Sequence, residues 1–214
     1  TDGYDSGWSE INLDDAKEAI VFAVKNGINH FDNADCYGHG LAERVLGDAL
    51  ESINAKQDVV ISSKVGYLKN GFDHAYRPKN IVNQCDKSLQ NLNRDYIDIY
   101  YFHHGNFGEN DEYLDEAMCA MLRLKELGKI RAIGLSCYTT KDFVRLFPKI
   151  KPEIFQGMAN LLDDKFIKDK TIVRQILDEY KLPFVAFSPL AQGLLTGKYS
   201  SSNPPIFGEG DHRR

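Results

Sequence analysis

Ile97-Asp98-Ile99-Tyr100-Tyr101-Phe102-His103-His104, then Asp111 to Leu127 and Gly128, then Ile130-Arg131-Ala132-Ile133-Gly134-Leu135-Ser136, is the stretch that decides the fold. Ile97 to Phe102 is a short apolar and aromatic run and reads as a strand. Asp111 to Leu127 reads as a helix closed by Gly128, and Ile130 to Leu135, rich in β-branched residues, reads as the next strand. A helix between two strands rules out a hairpin and imposes parallel pairing through a right-handed crossover.

The same unit recurs on both sides of this stretch. Upstream, Asn12 stands where it can cap the amide of Asp15, and Leu13, Ala16, Ile20, Ala23 and Val24 make one apolar stripe that ends at Gly27. Ile28 to Phe31 reads as a strand, Leu41, Val45, Leu46, Ala49 and Leu50 as a helix face, and Val59 to Ser62 as a strand. Ile81, Cys85, Ser88, Leu89 and Leu92 line a helix that begins after Pro78. Downstream, Thr140 to Phe147 is expected to be a short helix ending before Pro148. Ile154 to Gln156 follows as a strand, Thr171 to Tyr180 as a helix and Phe184 to Phe187 as a strand. Regular alternation of strands and helices means an α/β protein.

An open doubly wound sheet and a closed barrel both fit this alternation. Asp32, Lys64, His103, Ser136, Gln156 and Ser188 fall at or just beyond the carboxyl ends of six different predicted strands. A barrel gathers those ends at one mouth, whereas an open sheet spreads them along an edge. No G-x-G-x-x-G turn follows any strand, which counts against a Rossmann dinucleotide fold. The expectation is a (β/α)8 TIM barrel.

Composition narrows the partners. The 214 residues suffice for one buried core, so a single domain over 1–214 is expected. Lys+Arg 26 against Asp+Glu 31, with no block of like charges, points away from nucleic acid and from anionic membranes and toward a small-molecule partner. No apolar run approaches membrane-spanning length, and Thr1 to Ser9 lacks both parts of a signal peptide, so a cytoplasmic protein is expected. Cys36, Cys85, Cys119 and Cys137 are scattered without the spacing of a zinc knuckle or redox motif, and reduced thiols are the reading. Composition leaves the oligomeric state open.

The segment Gly27-Ile28-Asn29-His30-Phe31-Asp32-Asn33-Ala34-Asp35-Cys36-Tyr37-Gly38 resembles the signature of the aldo-keto reductases, in which an Asp is followed after four residues by Tyr-Gly. Ile61-Ser62-Ser63-Lys64 resembles the segment carrying that family's lysine, and Tyr96 to His103 that carrying its histidine. Gly134-Leu135-Ser136, Gln156 and Phe187 to Lys198 resemble its cofactor-binding segments, so the similarity covers nearly the whole chain. It is closest in style to the longer-chain members, which include potassium channel β subunits. The resemblance implies NADPH-dependent reduction of aldehydes or ketones, with Asp32, Tyr37, Lys64 and His103 as the catalytic set. It also implies an alternative, a cofactor-binding regulatory subunit of the channel type with little turnover.

The chemistry explains why those residue types belong together. Hydride arriving at a carbonyl carbon puts negative charge on oxygen, so a proton donor and fixed positive dipoles must face that oxygen. Tyr37 is the expected donor, Lys64 the ammonium that favours its phenolate, Asp32 the carboxylate that holds Lys64 charged and aimed, and His103 the group that donates to or orients the carbonyl. By the resemblance, Ser136 and Gln156 hold the nicotinamide carboxamide of NADP(H) and Phe187 stacks on its ring. Ser188, Leu190, Gln192, Gly193 and Lys198 wrap the pyrophosphate. Trp8 and His104 are candidates for the substrate pocket, although strand alternation sends His103 and His104 in opposite directions. Each residue alone has a plainer reading, as a turn, core or surface residue, and only the joint spacing argues for function. His30, Asp32 and His103 as ligands of a hydrolase metal leave the Asp-to-Tyr spacing unexplained, so no metal is expected.

Two departures from the family pattern stand out. Six strands are found where a barrel has eight; the first and eighth have no counterpart, and the chain is expected to be the ordered part of a longer protein. Asn33 stands where a small hydroxyl residue is common in the family, and Cys137 where an Asn is common.

Overall fold

The computed structural model describes residues 11–206. These fall into two compact units, 11–133 and 134–206, where length alone suggests one domain. The first unit contains α1 (Leu13–Lys25), β1 (His30–Asp32), α2 (Leu41–Ser52), β2 (Val60–Val65), α3 (Pro78–Leu92), β3 (Ile97–Phe102) and α4 (Leu114–Glu126). Strand β4 (Ile130–Cys137) carries the chain into the second unit, which holds α5 (Thr140–Ile150), β5 (Ile154–Met158), α6 (Ile172–Glu179), β6 (Phe184–Phe187) and a 3-10 turn at Ala191–Thr196.

All pairing within each unit is parallel. In the first, Asp32 of β1 lies opposite Ser62 of β2, and Lys64 of β2 opposite Tyr101 of β3. In the second, Ser136 of β4 lies opposite Gln156 of β5, and Gly157 of β5 opposite Ala186 of β6. The α/β alternation is the expected one, and six of the eight strands of a (β/α)8 barrel are present among the described residues.

Local sequence explains most boundaries. Asn12 Oδ1 accepts from the amides of Asp14 at 2.9 Å and Asp15 at 3.4 Å, and the Thr139 and Thr171 hydroxyls accept from Asp142 and Arg174 at the starts of α5 and α6. Pro78 opens α3, where its missing N–H costs nothing.

Strands β2, β4 and β5 run two or three residues further than their apolar cores suggest, and three other boundaries differ for a visible reason. Strand β1 begins at His30 rather than Ile28, because the Ile28 amide is still bonded to the Ala23 carbonyl of the preceding helix end. Helix α4 begins at Leu114 rather than Asp111, because Asn110 and Asp111 take left-handed backbone, with φ of 54° and 62°, in a separate 3-10 turn. Helix α5 does not stop before Pro148 but continues through it to Ile150. Proline inside a helix costs about 3 kcal/mol. Continuing the helix buries Ile150 along with Phe143, Leu146 and Phe147, and a fully buried large apolar side chain contributes about 1.5–3 kcal/mol. Tertiary burial therefore offsets the local penalty.

Helix α2 lies on the end of α3 at Gly47. A Cβ there would sit 2.8 Å from the Leu92 carbonyl oxygen and 2.9 Å from that of Asn91, both backbone atoms that cannot swing aside. Gly47→Ala should therefore lower stability by about 1–3 kcal/mol despite the better helix propensity of alanine. Urea unfolding of the two proteins measures this, and an unchanged or raised midpoint would contradict the packing.

Among the described residues no helix is long and apolar enough to cross a membrane. All four cysteines are free, with Cys36, Cys85 and Cys137 buried and Cys119 exposed.

Candidate active site

The first unit brings Asp32, Tyr37, Lys64 and His103 together. Asp32 is the last residue of β1 and Lys64 the penultimate residue of β2, so parallel pairing sets them side by side. The Lys64 Nζ donates to Asp32 Oδ2 at 2.7 Å and to the Asn33 carbonyl at 2.7 Å. The lysine side chain is only 2% exposed, whereas that of Asp32 is 33% exposed. A buried ammonium is tolerated when it is paired and hydrogen-bonded, as this one is.

Tyr37 follows on the loop after β1. The Lys64 ammonium lies 5.3 Å from the centroid of its ring, which is within cation–π range, and the ring is 39% exposed. His103, just beyond β3, is buried and meets Tyr37 edge-on with ring centroids 5.8 Å apart. Its amide donates to the Val65 carbonyl at 2.9 Å, and the Tyr67 ring abuts it at 4.6 Å. Burial, with Lys64 adding repulsion, holds the His103 pKa well below the ordinary histidine value, so its imidazole is neutral at neutral pH. A neutral imidazole can donate or accept a hydrogen bond, but it has no surplus proton to give.

His104 is placed differently. Its Nε2 bonds the Gly66 carbonyl at 2.7 Å and its Nδ1 accepts from the Asn106 amide at 3.2 Å. Tyr76 donates through its hydroxyl to the His104 carbonyl at 2.7 Å. These bonds commit both ring nitrogens to bracing the loops after β2 and β3. Trp8 lies outside the described residues.

Several supporting residues escaped the sequence reading. The Ser62 hydroxyl donates to Asp32 Oδ1 at 2.6 Å and is 3.3 Å from His30 Nε2, so it fixes the carboxylate that fixes the lysine. Glu43 of α2, fully buried, accepts from the Ser63 hydroxyl at 2.6 Å and from Asn91 at 2.9 Å, anchoring β2 beside Lys64. The one available signal was the place of Glu43 three residues before Leu46, on the buried side of α2.

Asp35 was also missed. It is 4% exposed, its Oδ2 accepts from Gln84 at 2.7 Å, and its Oδ1 has no hydrogen-bond partner. Burial pushes its pKa up to about 7, against a smaller lowering by the Gln84 bond. The unfolded chain, with an ordinary carboxyl at 3.8, therefore loses this proton first. Stability should fall as pH rises between about 4 and 7, with no further loss above that window. Asp35→Asn should flatten this component. Urea midpoints of both proteins across the window measure it, and parallel profiles would disprove it.

In the second unit, Ser136 and Gln156 are both buried and are partners in register on adjacent strands. Phe187 ends β6 and meets Tyr138 edge-on, with ring centroids 5.6 Å apart. Ser188, which follows, has φ of 51°, and its carbonyl accepts from Asn160 at 3.1 Å. Ala191, Gln192 and Gly193 run in succession through left-handed backbone, with φ of 46°, 56° and 99°. The Ala191 amide donates to the Ser188 carbonyl at 2.9 Å and the Gly193 amide to that of Leu190 at 3.0 Å, so the turn is closed on its own backbone. Leu190 is exposed, and the Lys198 Nζ lies 5.8 Å from the Tyr199 ring centroid. Cys137 is fully buried, its thiol pKa raised by that burial. Asn33 is buried and accepts from the Ala34 amide through its own side chain at 2.9 Å.

The chain is 31% identical over 186 residues to L-galactose dehydrogenase of Arabidopsis thaliana, covering 86% of this chain and 57% of that protein. It is 30% identical over 209 residues to an aldo-keto reductase of Schizosaccharomyces pombe whose name carries NADP(+), covering 94% and 59%. It thus spans well under two thirds of either relative. A holo-form aldo-keto reductase structure from Bacillus halodurans superposes with a TM-score of 0.77 over 95% of this chain and 68% of its own, at 24% identity, which speaks for the fold alone. The family model described as Aldo/keto reductase family matches residues 1–214. The chain therefore belongs to the aldo/keto reductase family.

Proposed function

We propose that the protein reduces aldehydes or ketones to alcohols with NADPH, with Tyr37 as the proton donor. The observation that carries this reading is the Lys64 ammonium, paired to Asp32 at 2.7 Å and set 5.3 Å from the centre of the Tyr37 ring. A phenol near its ordinary pKa of about 10 is a reluctant acid, and a neighbouring cation favours its phenolate and so eases proton release. Because His103 is held neutral, the phenol is the natural proton source, while the imidazole orients the carbonyl.

Asp32 keeps Lys64 aimed, and Ser62 keeps Asp32 in place. NADPH, when bound, supplies the hydride. On the second unit Ser136 and Gln156 would hold the carboxamide and Phe187 the ring face. The backbone through Ser188, Leu190, Gln192 and Gly193, with Lys198, would take the pyrophosphate. The NADP form is favoured by the name of the S. pombe relative. The substrate is a small carbonyl compound.

The test follows nicotinamide absorbance and protein fluorescence as NADPH and an activated aromatic aldehyde are added. Saturable NADPH binding with turnover supports the reading. Absence of binding overturns it, and tight binding without turnover overturns its catalytic half.

A further inference from the structure

We propose that Asp35, Cys36 and His103 form a binding site for a single Zn²⁺ ion. Each offers one ligand atom, these atoms lie within 4.8 Å of one another, and all three residues are buried. The Cys36 Sγ is 3.9 Å from the His103 Nδ1. With Zn–S of about 2.3 Å and Zn–N of about 2.0 Å, a tetrahedral centre sets sulfur and nitrogen roughly 3.5 Å apart, so this pair must close by only about 0.4 Å.

Asp35 supplies the independent sign of a missing partner. Its Oδ1 is buried and has no hydrogen-bond partner, although such atoms in native proteins almost always find one. Its Oδ2 is oriented by Gln84 at 2.7 Å, the kind of outer support that ligating carboxylates have. The backbone is fixed on both sides, with the Asp35 amide bonded to the Lys64 carbonyl and the His103 amide to that of Val65.

The donor set selects the ion. One thiolate, one imidazole and one carboxylate suit zinc, whereas calcium and magnesium prefer oxygen alone. On binding, Cys36 releases its thiol proton, and Asp35 any carboxyl proton it carries, to water as the metal forms bonds to sulfur, nitrogen and oxygen. The thiolate and carboxylate together neutralise the dication, so the loaded site carries no net charge near the Lys64 ammonium. The site stands on its own geometry. Its consequence, that zinc withdraws His103 and slows carbonyl reduction, rests on the reductase reading.

The test uses the full chain carrying Cys119→Ser, which removes the exposed thiol, titrated anaerobically with Co²⁺ as the spectroscopic probe. One equivalent should produce a thiolate-to-cobalt charge-transfer band and the visible bands of a tetrahedral centre, both bleached by Zn²⁺. Adding Cys36→Ser should abolish the charge-transfer band, and Asp35→Asn should weaken binding about tenfold or more, with circular dichroism confirming that each variant is folded. A band that survives Cys36→Ser, or no saturable band at all, overturns the site. A band that forms while zinc leaves turnover untouched keeps the site and overturns the assigned role of His103 in reduction.

Discussion

Tyr37→Phe lowers the rate of carbonyl reduction by about 10²–10⁴-fold, the range attributed to a positioned general acid, and leaves NADPH affinity and stability near those of the parent. The substitution removes one oxygen from a ring that is 39% exposed. The ring itself remains to face Lys64 and to meet His103 edge-on, so packing is preserved while the proton source is lost. His103 does not compensate, because burial and the neighbouring ammonium keep it neutral. Single-turnover measurements with saturating NADPH and aldehyde give the value. A variant that turns over at the parental rate would remove Tyr37 from the chemistry, and one that loses NADPH affinity in proportion would make it a binding residue.

The second large effect is on stability. Asp32→Ala leaves the Lys64 ammonium, 2% exposed, with the Asn33 carbonyl but without its carboxylate. Removing one partner of a buried pair costs about 3–5 kcal/mol. The lower end is expected here, because the Asp32 side chain is a third exposed and solvent screens the pair. Combining the change with Lys64→Met deletes the stranded charge as well, so the double variant should recover part of the lost stability. Urea unfolding of the four proteins closes the cycle. Strict additivity of the two single effects would show that the ion pair is energetically idle and that Lys64 has another source of support.

The fold was legible in the sequence wherever one signal acted locally. The aromatic run Ile97–Phe102 and the run Phe184–Phe187 have the boundaries read from their composition, and Asn12, Pro78 and Thr171 marked helix starts because capping and the proline N1 preference are matters of a few neighbouring residues. The reading failed where distant atoms decided. Proline argues locally for ending a helix at Phe147, yet α5 continues because Ile150 finds a buried place. The Ile28 boundary, by contrast, is set nearby: Gly27, at φ 87°, ends α1 and lets the Ile28 amide reach the Ala23 carbonyl.

The candidate site divides in the same way. The amino-acid order supplied the identities and spacing of Asp32, Tyr37, Lys64 and His103, because that spacing resembles the aldo-keto reductase signature, and chemistry explains why a proton donor, a cation and a carboxylate belong together. Only the tertiary structure decided that Ser62 clamps Asp32, that Glu43 anchors the strand beside Lys64, and that both nitrogens of His104 are spent on loop bonds. It alone set Asp35 and Cys36 against His103. Sequence spacing fixes which residues share a strand end, whereas hydrogen-bond partners and burial depend on elements dozens of residues apart that meet only when the chain has folded.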